Sequence, residues 1–267
     1  MNSLIKNIKP LFYCFFIIVA LSCSSSGEEE APPVERTAND VIEDFKKLTI
    51  NPGVNDLSLE STFRGYFWDF RLIAPQNSSS TDKKPLILRL HGSARSNAPE
   101  AHKSTDCLVE PGFENVDAYI LSPNSKALQW YEDANVFQIL ALVDLVKTYL
   151  NVDINKTAVM GYSDGGNASW YFAQFYPELF KAAIPIATSY DTTTSAGVTK
   201  IDIPLYVIHG EEDDLFPIEV TEGYVNASKD AGTDVTFVRA PGLVHNKPCD
   251  YVPYLKDAVA WLENSVW

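Results

Sequence analysis

The chain has 267 residues, 46% of them apolar, and a formal net charge of −14 at pH 7. That length fits one ordinary domain plus a leader, and the apolar share is enough to fill a core. The acidity excludes nucleic acid as the partner, because holding phosphates takes a basic surface, and it suits instead the solubility of an exported protein.

In the first residues, Lys6 and Lys9 precede an apolar run from Leu11 to Leu21. The run is too short to span a bilayer and has the proportions of a signal-peptide core. Cys23 follows in Ala20-Leu21-Ser22-Cys23, and Ser24-Ser25-Ser26-Gly27-Glu28-Glu29-Glu30 comes next. This resembles a bacterial lipoprotein signal, although Ala and Leu stand third and second before the cysteine, which departs from the commonest form. The resemblance implies a leader of residues 1–22, lipidation of Cys23, and an outer-membrane anchor as the one contact with membrane. The acidic run is similar to the signal that moves some Gram-negative lipoproteins to the cell surface. An ordinary secretory signal cut nearby is the alternative, giving a periplasmic or secreted protein, and either route leads out of the cytoplasm. Cys14 leaves with the leader and Cys23 is lipidated, so Cys107 and Cys249 remain. Two cysteines in an oxidising compartment point to one disulfide, with two separate buried thiols as the other reading.

Residues 23–37 are rich in Ser, Glu and Pro and read as a flexible tether, leaving 38–267 as the domain. Asn39 or Asp40 caps a short helix with Val41, Ile42, Phe45 and Leu48 on one side. Leu57 to Phe63 and Tyr66 to Ile73 alternate around Gly65 and predict an antiparallel hairpin. Leu86 to Leu90 is a central strand ending at His91-Gly92-Ser93, and Ala118 to Leu121 is another. Apolar positions spaced by three and four predict a helix over Asn135 to Tyr149. Thr157 to Met160, Ala182 to Ala187, Pro204 to Ile208 and Val235 to Arg239 read as further strands. Helices are expected over Asn167 to Tyr176, Ile218 to Ala231 and Tyr254 to Glu263. Alternation of strand and helix argues an α/β class with a mostly parallel sheet, helices on both faces and an N-terminal antiparallel hairpin. There is no internal repeat and no second domain.

The informative stretch is Gly161-Tyr162-Ser163-Asp164-Gly165-Gly166, a G-x-S-x-G sequence between a predicted strand and a predicted helix. A serine on so sharp a turn needs neighbours without bulk, and the helix that follows brings free N–H groups beside the hydroxyl. Ser163 is therefore the candidate nucleophile. A serine hydroxyl needs a base to take its proton and an acid to orient that base. Folds with this turn supply them in the order serine, acid, histidine. His91 and His102 precede Ser163 and drop out. His209 ends a predicted strand, whereas His245 sits in a loop between the last strand and the last helix, where it can reach the site. His245 is the expected base. Four carboxylates, Glu211 to Asp214, compete for the acid. A calcium site from Glu211, Glu212 and Asp214 is another use of that loop, and Asp191 with His209 is a second acid–base pairing.

The run from about Phe63 to Trp261 resembles the α/β-hydrolases, in particular the secreted esterases grouped with feruloyl esterases and polyhydroxyalkanoate depolymerases. In that group the acid follows a His-Gly turn by a few residues and precedes a proline, which implies Asp213, between His209-Gly210 and Pro217, with Asp214 as the alternative. One oxyanion donor should be the N–H of Asp164, the residue after the nucleophile. His91-Gly92-Ser93 resembles the group's His-Gly turn and implies the Ser93 N–H as the other, with Ala94 next. A triple-glycine version is absent, which weakens the likeness to lipases that carry it. Trp130 and Tyr131, in a polar loop, are expected to wall an acyl pocket or to cover a core edge.

These readings imply a serine esterase working through an acyl-enzyme, with no metal and no organic cofactor. A tethered extracellular enzyme suits feruloyl or acetyl groups on polysaccharide, with polymeric aliphatic polyesters or small-molecule esters as other substrates. A prolyl-oligopeptidase-like peptidase uses the same triad but usually carries a large extra domain, for which the chain lacks length. A non-catalytic surface binding protein has no need of Ser, Asp, His and Gly together.

Overall fold

The computed structural model describes residues 35–267. The expected leader, Cys23 and the tether up to residue 34 lie outside the described residues. Arg36, expected in the tether, is already fixed to the domain. Its guanidinium donates to the Ser61 carbonyl at 2.8 Å and pairs with Asp44 at 2.8 Å.

Helix α1 (Ala38–Lys46) is capped by Thr37 rather than by Asn39 or Asp40. Thr37 accepts from the Asp40 N–H while the Asp40 carboxylate accepts from the Thr37 N–H, a reciprocal capping box that satisfies two otherwise free donors. Strands β1 (Gly53–Glu60) and β2 (Phe67–Ala74) form the expected hairpin, antiparallel from Gly53↔Ala74 to Glu60↔Phe67. Its strands stop short of Phe63, which is 68% exposed in the connecting turn.

The other main strands are β3 (Lys84–Leu90), β4 (Tyr119–Pro123), β5 (Val152–Tyr162), β6 (Ala182–Ile186), β9 (Leu205–Gly210) and β10 (Val235–Ala240). The eight run in the order β1-β2-β4-β3-β5-β6-β9-β10. Pairing is antiparallel at β1–β2 and β2–β4 and parallel from β4 to β10. A two-strand ribbon, β7 (Thr193–Thr194) with β8 (Gly197–Val198), was too short to leave a periodic signal.

Alternation along the strands sends side chains to two cores. Leu86, Leu88 and Leu90 join α1, α3 (Asp133–Tyr149), α4 (Asp164–Phe175) and α5 (Ile218–Asp230) on one face. Ile87, Met160 and Ile208 join α2 (Val109–Gly112) and α6 (Val252–Trp261) on the other. Because β3, β5, β9 and β10 are parallel, the loops after them gather at one end of the sheet, and the candidate triad and oxyanion residues lie on those loops or, for Asp164, at the start of the helix that follows one, while Trp130 and Tyr131 follow β4.

Candidate active site

Ser163 sits at φ 58° and ψ −121°, a backbone state that few residues other than glycine adopt and that stores roughly 1–3 kcal/mol. Two features hold it there. The Ser163 N–H donates to the Ile186 carbonyl at 3.0 Å, anchoring the turn to β6. The start of α4 is also pressed onto the sheet. A Cβ on Gly161 would lie 2.0 Å from the Gly165 carbonyl oxygen, and one on Gly165 would lie 2.0 Å from that of Leu90. The glycines of the motif therefore answer to close backbone approach.

Ser163 Oγ lies 2.9 Å from His245 Nε2, and His245 Nδ1 lies 2.8 Å from Asp213 Oδ2. An ionised carboxylate can only accept, so Nδ1 carries the proton and the Nε2 lone pair faces the serine hydroxyl. The other Asp213 oxygen accepts from the N–H groups of Leu215 at 3.0 Å and Phe216 at 2.7 Å. Burial alone would raise the Asp213 carboxyl, but the hydrogen bonds from His245 and Phe216 outweigh it and hold its pKa below the usual range. Asp213 and His245 are 5% and 3% exposed. Asp214 is exposed, and of the acidic loop it is Asp213 whose carboxylate reaches His245. Phe216 meets the His245 ring edge-on at 4.9 Å and Tyr162 lies 5.7 Å away, so the imidazole is walled by aromatics.

His209 is not paired with Asp191, whose carboxylate accepts from the Thr193 N–H instead. It donates from Nε2 to the Phe216 carbonyl at 2.7 Å, pinning the loop whose N–H groups hold Asp213. Burial pushes its pKa down, so it is neutral there. Among the described residues no group of three His, Cys, Asp or Glu side chains is placed to hold a metal ion, and Glu211 of the expected calcium set pairs with Arg239 at 3.0 Å.

The loop after β3 lies against the serine, with the Cβ that Gly92 lacks falling 3.3 Å from that of Ser163. Ser93 takes φ 52°. The Ala94 N–H is engaged, donating to Asp164 Oδ2 at 3.1 Å, and Arg95 donates to Asp164 Oδ1 at 3.1 Å. No hydrogen bond from the Ser93 N–H is found among the described residues. Asp164 opens α4, so its own N–H has no partner within the helix. The two donors expected for an oxyanion are therefore open, while the fallback donor is occupied. His91 is structural: Nδ1 donates to the Gly92 carbonyl at 2.8 Å, Nε2 accepts from the Ser125 N–H at 3.1 Å, and burial pushes its pKa down to about 3.

A cavity of about 360 Å³ opens on Ser163 and His245 and is lined beyond them by Tyr162, Met160, Leu108 and Arg89. The buried Arg89 guanidinium donates to the carbonyls of Ala101 and Ser104 and to Ser122 Oγ, and burial lowers its pKa to about 10. Trp130 and Tyr131 do not wall this cavity. Trp130 is 1% exposed and donates to the His91 carbonyl at 3.0 Å, supporting the loop that carries Ser93. Tyr131 is 52% exposed, and together the two aromatics line a second hollow of about 100 Å³ with Arg95, Gln129, Asp164 and Asn167. Cys107, on the wall of the larger cavity, is bonded to Cys249, four residues beyond His245. Sequence reasoning missed the roles of the Asp164 carboxylate, His209 and Arg89. The last has a signal in hindsight, since an arginine inside a buried strand needs polar company.

The family model of the dienelactone hydrolases matches residues 122–263. No curated protein matches the sequence. Among solved structures, a thermostable esterase superposes with a TM-score of 0.66 at 21% identity, covering 84% of this chain and 63% of its own. A truncated carbohydrate esterase from gut microbiota gives 0.60 at 17%, covering 73% and 90%. A fluorophosphonate-binding serine hydrolase of Staphylococcus aureus, FphF, gives 0.66 at 17%, covering 80% and 100%. The chain thus spans less than two thirds of the thermostable esterase. At these identities the structural likenesses establish the fold.

Proposed function

The chain belongs to the dienelactone hydrolase family, and from that premise we propose that it is a serine hydrolase of carboxylic esters that removes acyl groups, feruloyl or acetyl, from extracellular polysaccharide, with Ser163, His245 and Asp213 as its triad. The observation that carries the triad is the unbroken chain from Ser163 Oγ through His245 to Asp213 at 2.9 and 2.8 Å. Ser163 Oγ attacks the ester carbonyl carbon as its proton passes to His245 Nε2. Asp213 stabilises the imidazolium that forms. The N–H groups of Ser93 and Asp164 take the negative charge on the carbonyl oxygen. Collapse breaks the C–O bond, the leaving alcohol takes the proton from His245, and water repeats the sequence to free the acid.

The polysaccharide reading is supported by the export leader expected from residues 1–22 and by the likeness to a carbohydrate esterase. Lipidation at Cys23 and a place on the outer membrane, facing outward, belong to the same proposal. A fluorophosphonate probe is expected to label the mature protein and not Ser163→Ala, and equal labelling of both would overturn the triad. A panel of acetylated and feruloylated oligosaccharides, p-nitrophenyl esters, aliphatic polyester and aminoacyl-nitroanilides then separates the substrate classes. Turnover confined to the nitroanilides would make the protein a peptidase.

A further inference from the structure

Ester hydrolysis needs room on two sides of the nucleophile, one for the acyl group and one for the alcohol. The larger cavity, with Met160, Leu108 and Val109 on its wall, offers apolar surface beside Ser163. The smaller hollow differs in chemistry. Arg95, Asp164, Gln129 and Asn167 line it together with Tyr131. Asn167 Oδ1 accepts from Thr188 Oγ1 and from the Ser189 N–H, while the side-chain amide hydrogens have no hydrogen bond among the described residues. Beyond the hollow the aromatic surface continues. Asp164, Asn167, Tyr171 and Phe175 recur at three- and four-residue spacing and so share one face of α4. The Tyr171 ring lies 6.1 Å from that of Tyr131 and 4.9 Å from that of Phe175. Tyr131 and Phe175 are 52% and 50% exposed.

We propose that this hollow is the subsite for the alcohol half of the substrate and that it takes a sugar ring, with the next sugars of the chain lying along Tyr171 and Phe175. The inference rests on the polysaccharide reading and adds to it the residues that recognise the saccharide. An alkyl alcohol would strip water from Asp164, Arg95 and Asn167 and return no hydrogen bond. A sugar presents hydroxyls that donate to Asp164 and accept from Arg95 and Asn167. Its C–H face carries partial positive charge, which suits the electron-rich face of Tyr131. Asp164, on the wall of the hollow, is the residue next to the nucleophile, so a sugar bound there lies close to the bond that breaks.

The test is the ratio of kcat/KM for an acylated xylo-oligosaccharide to that for the ethyl ester of the same acid, with acetyl and feruloyl each tried. The wild type is expected to favour the saccharide at least about tenfold. Tyr131→Ala should lower that ratio at least about fivefold, chiefly through KM, and Tyr131→Phe, which keeps the ring, should retain it. Thermal melts confirm that each variant is folded. A wild type that favours the saccharide, with Tyr131→Ala and Tyr171→Ala both keeping the ratio, overturns the subsite and leaves the polysaccharide reading standing. A wild type with no preference for the saccharide overturns both.

Discussion

Two carboxylates flank Ser163, one on each side. Asp213 is buried, shares one oxygen with His245 and has the other filled by two backbone N–H groups. Asp164 is half-buried, and its two oxygens hold the Ala94 N–H and the Arg95 guanidinium. The first is placed to answer a charge that appears and disappears on an imidazole during the reaction. The second is bound to groups whose charge does not change, and what it fixes is the shape of the loop carrying Ser93. The same functional group thus serves electrostatics on one flank and geometry on the other, and the difference is set by its partners.

If that contrast is right, Asp213→Asn should be the most damaging single change on either flank. An amide cannot stabilise the imidazolium and can favour the wrong tautomer, a loss of ~10⁴ in kcat in the best-studied triad. Asp214→Asn should be close to neutral. Steady-state kinetics on a p-nitrophenyl ester checks both, and a larger loss from Asp214→Asn would break the assignment of the acid flank.

Asp164→Ala should come next. Releasing the Ala94 N–H lets the loop relax and offers the oxyanion a poorly aimed donor, so kcat should fall up to about 10²-fold, near the range for loss of one oxyanion donor. On a p-nitrophenyl ester, which brings no sugar hydroxyl to Asp164, KM should move little. Asp164→Asn keeps an acceptor for Ala94 and should recover most of the rate. A shape role requires that recovery, whereas a loss equally deep in Asn and Ala would mean that the charge itself matters.

A covalent brace ties the acid–base flank to the connection between β3 and β4, the segment that also carries Ser93. Cys107–Cys249 closes a separation of 142 residues beside the loop of His245. In the chain-entropy model such a closure contributes about 5 kcal/mol. Reduction should lower the melting temperature and, through the position of His245, the rate. Alkylation without reductant, followed by intact-mass analysis, should find neither thiol free in oxidatively expressed protein.

The acid–base flank was the more legible in the sequence. The elbow shows itself by its glycines, and chain order together with a place in the loop after the last strand singles out His245. The resemblance to secreted esterases then separates Asp213 from its acidic neighbours. The oxyanion flank was half legible: Asp164 follows from its place after the nucleophile and Ser93 from the resemblance of its His-Gly turn, but the carboxylate bond to Ala94 joins residues 70 apart, and no local pattern encodes it. Trp130 and Tyr131 show the same limit, since neighbours in an aromatic loop point one ring into the core and the other to solvent. The cap at Thr37 was missed for a different reason: the box was present in the sequence, and the reading placed the helix start two or three residues late.

The smallest effect expected on the oxyanion flank belongs to Arg95. Its side chain is 63% exposed, so the pair with Asp164 should add little to stability. It does, however, balance a negative charge that stands beside the place where the oxyanion forms. Arg95→Ala leaves the Asp164 carboxylate uncompensated, and like charge opposes the developing one. That repulsion is long-ranged in dilute buffer, where the screening length is about 30 Å at 0.01 M salt, and shrinks to about 8 Å at 0.15 M. The variant should therefore lose a few-fold in kcat at low salt and regain part of it as salt is added. The wild type, whose pair is already neutral overall, should respond less over the same range. On a small uncharged ester the salt profiles of the two proteins would be compared, and parallel profiles would remove Arg95 from the electrostatics of the oxyanion flank.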